Sequence, residues 1–450
     1  MNHCTSSTGL ITDQRGVVRP QGLRCDIGSY EFYASTNTAL YFPHITTSIP
    51  WQTEIAIINI SDRTVLGTLR ALNDQGQLVE TKDVILSVRG RRQITIADEF
   101  TNHTNIAYII FYADSPAVQG YTKFYRTGYY RVAIPAVKEV SSSDIYIPHI
   151  AADADWWTGI SLVNTASAQK TLTIAFNNGQ SRQITLAANQ HWAFNIAQEF
   201  FNNQPPPDLQ SAVITNASGV IGLELFGNRN GSNHLDGILL TDKTASTIYY
   251  PHVAGNEWWT GIVAYNPSES EATITITPYS AGGALLPSST LAIAGKGKYI
   301  GAVEALGLPD QMAWFSIESP QPLSGFELFG TVNGNQLAAY AGGSGPAKAG
   351  VFAKIEKNGW TGIAFVNAED TEASVTLTAY DDNGAPVATE ALSVGGYAKV
   401  VNNPELIFSQ DISDATYIAY SSDRNVVGFQ LNGSLDGTML DGLPGLGINN

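Results

Sequence analysis

Three histidines, His44, His149 and His252, each follow a proline at the same place in a recurring pattern, and Lys354 takes the fourth such place. Imidazole can ligate a metal or move a proton near neutral pH. One histidine per ~100 residues cannot supply three or four zinc ligands unless domains pack face to face, and no H-E-x-x-H spacing occurs. The expected role is a strand-end histidine bonded to loop backbone. Glu224 and Glu327 are also equivalent, but Thr122 and Gln430 stand at the matching positions, so no acid/base pair runs through the pattern. Glycosidase chemistry needs two carboxylates ~5 to 10 Å apart. A G-x-S-x-G elbow, a Walker loop and a dinucleotide fingerprint are absent, and Gly295-Lys296-Gly297 lies between strand-like runs instead of opening a helix. No catalytic residue and no metal ligand is assigned, and the chain reads as a non-enzyme.

Tryptophan carries the one feature that points to a ligand. Trp51, Trp156 and Trp258 share strand parity with Ile55, Ile160 and Ile262 and should face a core. Their neighbours Gln52, Trp157, Trp259 and Trp360 should then point outward. Exposed indoles repeated on successive modules can stack on sugar faces, so Trp157, Trp259 and Trp360 are the candidate ligand-binding residues. The competing expectation is packing against a loop or a neighbouring domain.

Acidic turns such as Asp236-Gly237, Asp381-Asp382-Asn383-Gly384 and Asp436-Gly437 could hold Ca²⁺, although none matches an EF-hand loop and each is ordinary turn chemistry. No other cofactor is implied. With 24 Lys+Arg against 40 Asp+Glu, a net charge of -16, nucleic acid is excluded as a partner because it demands a basic face. Residues 38–140 are nearly neutral, with 10 basic and 9 acidic groups including the Arg89-Gly90-Arg91-Arg92 cluster. The acidity falls after residue 140, with 11 basic against 28 acidic groups. Apolar runs are too short for a membrane span. Cys4 and Cys25 are the only cysteines. They could pair as a disulfide in an oxidising compartment.

The elements that position these residues repeat four times. Asn59, Asn164, Asn266 and Asn367 are spaced by 105, 102 and 101 residues, and Gly120, Gly222, Gly325 and Gly428 by 102, 103 and 103. A period near 103 defines tandem units. Within a unit, alternating runs such as Thr171–Phe176 and Thr273–Thr277 are bounded by Asn178-Gly179, Gly282-Gly283 or Asn383-Gly384, the signature of hairpins. Seven or eight strands per unit predict an all-β protein of four tandem immunoglobulin-like β-sandwich repeats of ~103 residues after a short N-terminal segment. The boundaries are 1–37, 38–140, 141–243, 244–345 and 346–450. A propeller blade of ~40 to 50 residues is too short for such a unit, which makes a single propeller the weaker reading. The short linkers 140–144, 241–247 and 342–348 predict a semi-rigid rod.

Residues 1 to about 33 do not fit the repeat. The order Asp13-Gln14-Arg15-Gly16, Arg19-Pro20, Cys25-Asp26-Ile27-Gly28-Ser29-Tyr30-Glu31 resembles the closing segment of the choice-of-anchor Q domain. That resemblance implies a bacterial exported protein, on the cell surface or extracellular, with a parallel β-helix body upstream of Met1. No signal peptide opens the given chain. The expected function is a non-catalytic stalk or adhesive scaffold with a surface protein as partner. The alternative is a carbohydrate-binding array that directs the β-helix to polysaccharide.

Overall fold

A computed structural model describes residues 38–229, 234–255, 257–332, 336–341 and 345–448. The N-terminal segment, with Cys4 and Cys25, lies outside them. All four repeats are β-rich, as the alternating patterns require.

The first repeat holds eight strands: β1 (Thr38–Phe42), β2 (Gln52–Asn59), β3 (Val65–Leu72), β4 (Leu78–Leu86), β5 (Arg91–Thr95), β6 (Tyr108–Ala113), β7 (Val118–Arg126) and β8 (Tyr130–Pro135). They form two antiparallel sheets, β1-β6-β3-β4 and β5-β2-β7-β8. The other repeats keep this order. In repeats three and four the β6 and β7 counterparts merge into single strands, Trp314–Thr331 and Tyr417–Ser434, which leave one sheet and enter the other. Each repeat closes its own core between the two sheets, for example Leu40, Ile55, Leu69, Phe111 and Val118 in the first. Gly179, Gly283 and Gly384 take positive φ in the expected hairpin turns. The anticipated helical turn near residue 197 is Ile196–Phe201, capped by Asn195, whose Oδ1 accepts from Gln198 N at 3.1 Å.

The repeating asparagine is a clasp. Asn59 Nδ2 donates to Arg63 O and Ser87 O, both at 2.7 Å, and its Oδ1 accepts from Ser61 N at 2.9 Å. Asn164, Asn266 and Asn367 make the equivalent bonds. Each ties the β2–β3 loop to the β4–β5 turn and satisfies carbonyls that strand pairing leaves open.

Two expectations need correction. An immunoglobulin sandwich places its first strand beside the second, whereas here β1 pairs with β6. The repeats also do not form a rod. The innermost strands, β8 and its counterparts Leu235–Leu239, Leu337–Ala341 and Leu440–Pro444, pack against one another in cyclic order, so the fourth repeat returns to the first. The arrangement reads as a four-bladed β-propeller. Each β5-β2-β7-β8 sheet is a blade and each β1-β6-β3-β4 sheet an outer cover, which is why the repeat is about twice a blade's length.

Four apolar seams hold the ring. Val132 and Ile134 meet Leu223 and Leu235; Phe226 and Ile238 meet Phe326 and Leu337; Phe329 and Tyr340 meet Phe429 and Leu440; Tyr121 and Ala133 meet Val351 and Leu443. The β3–β4 turn of one repeat also bonds to the β5 strand of the next. His191 N donates to Asp74 O at 3.0 Å, Lys399 N to Ala281 O at 2.9 Å and Arg91 N to Asp382 O at 2.9 Å.

Candidate ligand-binding face

The tryptophan columns lie at one end of the ring, where the β2 strands begin and the β7 strands end. In the Trp-Thr-Gly-Ile motif the threonine is buried and anchors the preceding loop: Thr158 Oγ1 accepts from Ala151 N at 2.8 Å and donates to Ala151 O at 2.9 Å. Across the sheet, Trp157 is in register with Gly227, Trp259 with Gly330 and Trp360 with Gly433. A Cβ on any of these glycines would run into the facing indole ring. Each indole therefore lies on a glycine shelf, which explains why a glycine recurs five positions after Gly222, Gly325 and Gly428. The first repeat reverses the arrangement: Gln52 faces Tyr125, whose hydroxyl donates to Gln52 Oε1 at 2.8 Å.

Neither column is a core column or a freely exposed one; all six tryptophans are half-buried. Trp51 shares a seam with Trp157, Trp156 with Trp259, and Trp258 with Trp360, whose rings meet edge-on at 6.3 Å. The expectation that Trp51, Trp156 and Trp258 face their own core fails for a geometric reason. The sheet face that covers the outer sheet at Ile160 and Leu162 meets the next repeat at Trp156 and Phe226. Trp157, Trp259 and Trp360 pack against the preceding repeat while keeping part of their surface in solvent.

The fourth seam has Gly359 and Gln52 where the others have tryptophan. Ion pairs replace the rings. Arg131 pairs with Asp441 and with Glu356 at 2.9 Å, and Lys354 reaches Glu356 at 2.7 Å and Asp441 at 3.1 Å. Burial pushes Asp441 up, but Arg131 and Lys354 outweigh it and hold the carboxyl below its ordinary range. Burial lowers Lys354 to about 8 against the pull of Asp441.

The histidine column is also corrected. Its partners are side chains across the seams. His44 Nδ1 and His191 Nε2 lie 3.2 Å apart, Lys298 Nζ reaches His149 Nδ1 at 2.7 Å, and Lys399 Nζ reaches His252 Nδ1 at 2.5 Å. Burial, then Lys399, depresses His252 to about 3, and burial takes Lys399 to about 7 despite Glu327. Glu224 and Glu327 are fully buried with neither carboxylate oxygen hydrogen-bonded, and burial raises both well above the usual range, with Lys298 and Lys399 opposing. Of the basic groups at this position, Arg91 was noted only as part of an arginine cluster, and His191, Lys298 and Lys399 were not singled out from the sequence. Arg91, Lys298 and Lys399 each follow their repeat asparagine by 32 residues and His191 by 27, a signal that aligning the repeats reveals. Glu224 and Glu327 are fully enclosed, whereas His149, His252, Lys298 and Lys399 are half-buried.

The arginine cluster is absorbed by pairing: Arg89 with Asp62 at 2.6 Å, Arg91 with Asp382 at 2.9 Å and Arg92 with Glu99 at 3.1 Å. Asp236-Gly237 is not a turn but lies in the innermost strand Leu235–Leu239, where Asp236 also bonds to the next repeat, whereas the turns at Asp381 and Asp436 use their oxygens locally. Asp236 accepts from Gly237 N at 2.7 Å and Ala339 N at 2.6 Å, Asp381 from Ala385 N at 2.8 Å, and Asp436 from Ser434 Oγ at 2.6 Å. Among the described residues, no three His, Cys, Asp or Glu side chains are placed so that they could hold a metal ion, and no helix is long and apolar enough to cross a membrane.

Among the described residues, the tryptophan end also carries exposed apolar side chains. Ile49 is 98% exposed before β2, and Tyr129 (44%), Val332 (69%) and Leu435 (82%) stand on or beside β7–β8 hairpins. Trp51 stacks on Tyr130 at 5.8 Å, and the Arg126 guanidinium lies 4.0 Å over the Tyr129 ring. This end therefore joins projecting apolar tips to the solvent edges of half-buried indoles. Compared with known proteins, the chain matches no family model and no curated relative.

Proposed function

We propose that the chain is a non-catalytic adhesive module, exported to the cell surface or beyond, which binds polysaccharide through the aromatic end of its ring. The observation that carries this reading is the concentration of exposed apolar tips and indole edges on one end of a four-repeat ring. Single exposed hydrophobics need no explanation, but a group of them above aromatic rings is the composition of a recognition surface. The non-catalytic reading is supported by the burial of Glu224 and Glu327, which keeps both carboxylates from solvent. A ring adds little length, which favours a compact adhesive head over a stalk. The exported location rests on the likeness of residues 13–31 to the choice-of-anchor Q closing segment. The immunoglobulin-like comparison survives only in the coarse sense that each repeat packs two antiparallel sheets face to face.

Tryptophan fluorescence of the protein titrated with a panel of soluble polysaccharides tests the reading. A saturable shift that Tyr129→Ala abolishes, with the melting temperature unchanged, supports it. The absence of any saturable shift across the panel overturns it.

A further inference from the structure

The opposite end of the ring holds a second feature, independent of the aromatic end. Beyond β8 the chain passes through Ala136–Glu139 and forms, with repeats two and four, a cleft of about 300 Å³. That volume lies at the lower limit for small-molecule sites and suits a single sugar ring. Its apolar lining includes Val137, Ile221, Leu240 and Leu446, with Lys138 and Lys243 among its charged groups.

The two lysines differ. Lys243 is spoken for, with Glu139 at 3.7 Å and Asp242 at 3.9 Å. Lys138 is half-buried and has no hydrogen bond or ion pair among the described residues; burial lowers its pKa, with only the charge of Glu139 opposing. A partly desolvated ammonium facing an apolar cleft is costly unless an anion completes it. Four charged groups line the cleft, and Lys138, Lys243, Glu139 and Asp242 sum to zero. A dianion such as phosphate would meet the two carboxylates, whereas a monoanion needs only Lys138. Ser141 Oγ is spent on Ala217 O and Val220 O, but Thr241 Oγ1, which accepts from Lys243 N at 2.9 Å, still has its hydroxyl proton to donate, and Gln119, whose Nε2 donates to Gly447 O at 3.2 Å, still has its amide oxygen at the cleft wall.

We infer that this cleft is a binding site for a monocarboxylate sugar, a uronic acid residue whose carboxylate pairs with Lys138 and whose ring lies on the apolar wall. The Thr241 hydroxyl and the Gln119 amide oxygen, a donor and an acceptor that sugar hydroxyls can meet, favour a sugar over the C-terminal carboxylate of a peptide.

Calorimetry of the intact chain with galacturonate at low ionic strength, where charge pairing is least screened, tests the site. Saturable binding is expected, with no binding of neutral galactose. Lys138→Ala should weaken binding by about tenfold or more, and Lys138→Arg should restore most of it. Because Lys138 has no partner to lose, the melting temperature of both variants should match the parent. Galacturonate that does not bind, or binds equally well to Lys138→Ala, overturns the inference. So does Lys138-dependent binding of N-acetyl-dialanine in place of the sugar. Tyr129→Ala should leave galacturonate binding unchanged, which separates this site from the aromatic end.

Discussion

Arg91 of the first repeat and Asp382 of the fourth, 291 residues apart, are joined twice: backbone N to backbone O at 2.9 Å, and Nη1 to Oδ1 at 2.9 Å. The first bond repeats at the His191–Asp74 and Lys399–Ala281 contacts, so the junction between chain-distant repeats is built like the junctions between consecutive ones. The ring closes by the same device that joins its neighbours.

The fourth seam should be the most sensitive to charge. Asp441 is fully buried between Arg131 and Lys354, so Asp441→Ala leaves two cations without their partner and should cost about 3–5 kcal/mol. Asp382 is half-exposed, and Asp382→Ala should cost only about 1 kcal/mol. Urea titrations give both values, and equal losses would contradict the burial difference.

The glycine shelves predict a steric penalty. Gly330→Ala drives a methyl group into the Trp259 indole and should cost about 1–3 kcal/mol. Adding Trp259→Ala should recover part of that loss, because the two sites share one contact and their effects are not additive. A double-mutant cycle with no coupling would refute the stacking.

The asparagine clasps should behave alike in all four repeats. Asn266→Ala strands the carbonyls of Ser270 and Ala294 and should cost about 1–3 kcal/mol. The matching changes at Asn59, Asn164 and Asn367 should fall within the same range by thermal unfolding.

His252 gives stability a pH dependence of defined sign. Its pKa is about 3 in the folded chain against 6.5 for the free group. As pH falls from 6.5 toward 3, the unfolded chain takes a proton that the folded chain refuses, so this residue lowers stability on acidification. Lys399, at about 7 against 10.5, acts across the other window: between those values the unfolded chain holds the extra proton, and stability rises with pH. His252→Gln should flatten the acid limb by about one proton's worth of slope, while Lys399→Met should flatten the alkaline limb and, by removing one cause of the His252 depression, also narrow the acid limb. Denaturant midpoints measured across pH 3 to 10 check both.

Local chemistry was legible in the residues themselves. The repeating Asn59, Asn164, Asn266 and Asn367 marked the four units, and the turns at Gly179, Gly283 and Gly384 carried the positive φ that their residue types predict. Strand alternation and turn residues act over a few positions, so one chain displays them directly. Ring closure could not be read this way. Short linkers were equally compatible with a rod, and nothing near Arg91 announces Asp382. The tryptophans misled for a related reason: parity assigns Trp156 to the face of Ile160, but only the packing of blade on blade decides whether that face meets the repeat's own outer sheet or its neighbour. The sequence by itself determined the strands, turns and fourfold repetition, whereas the tertiary structure decided the ring, its seams and its two unlike ends, because those depend on contacts between surfaces about a hundred residues or more apart.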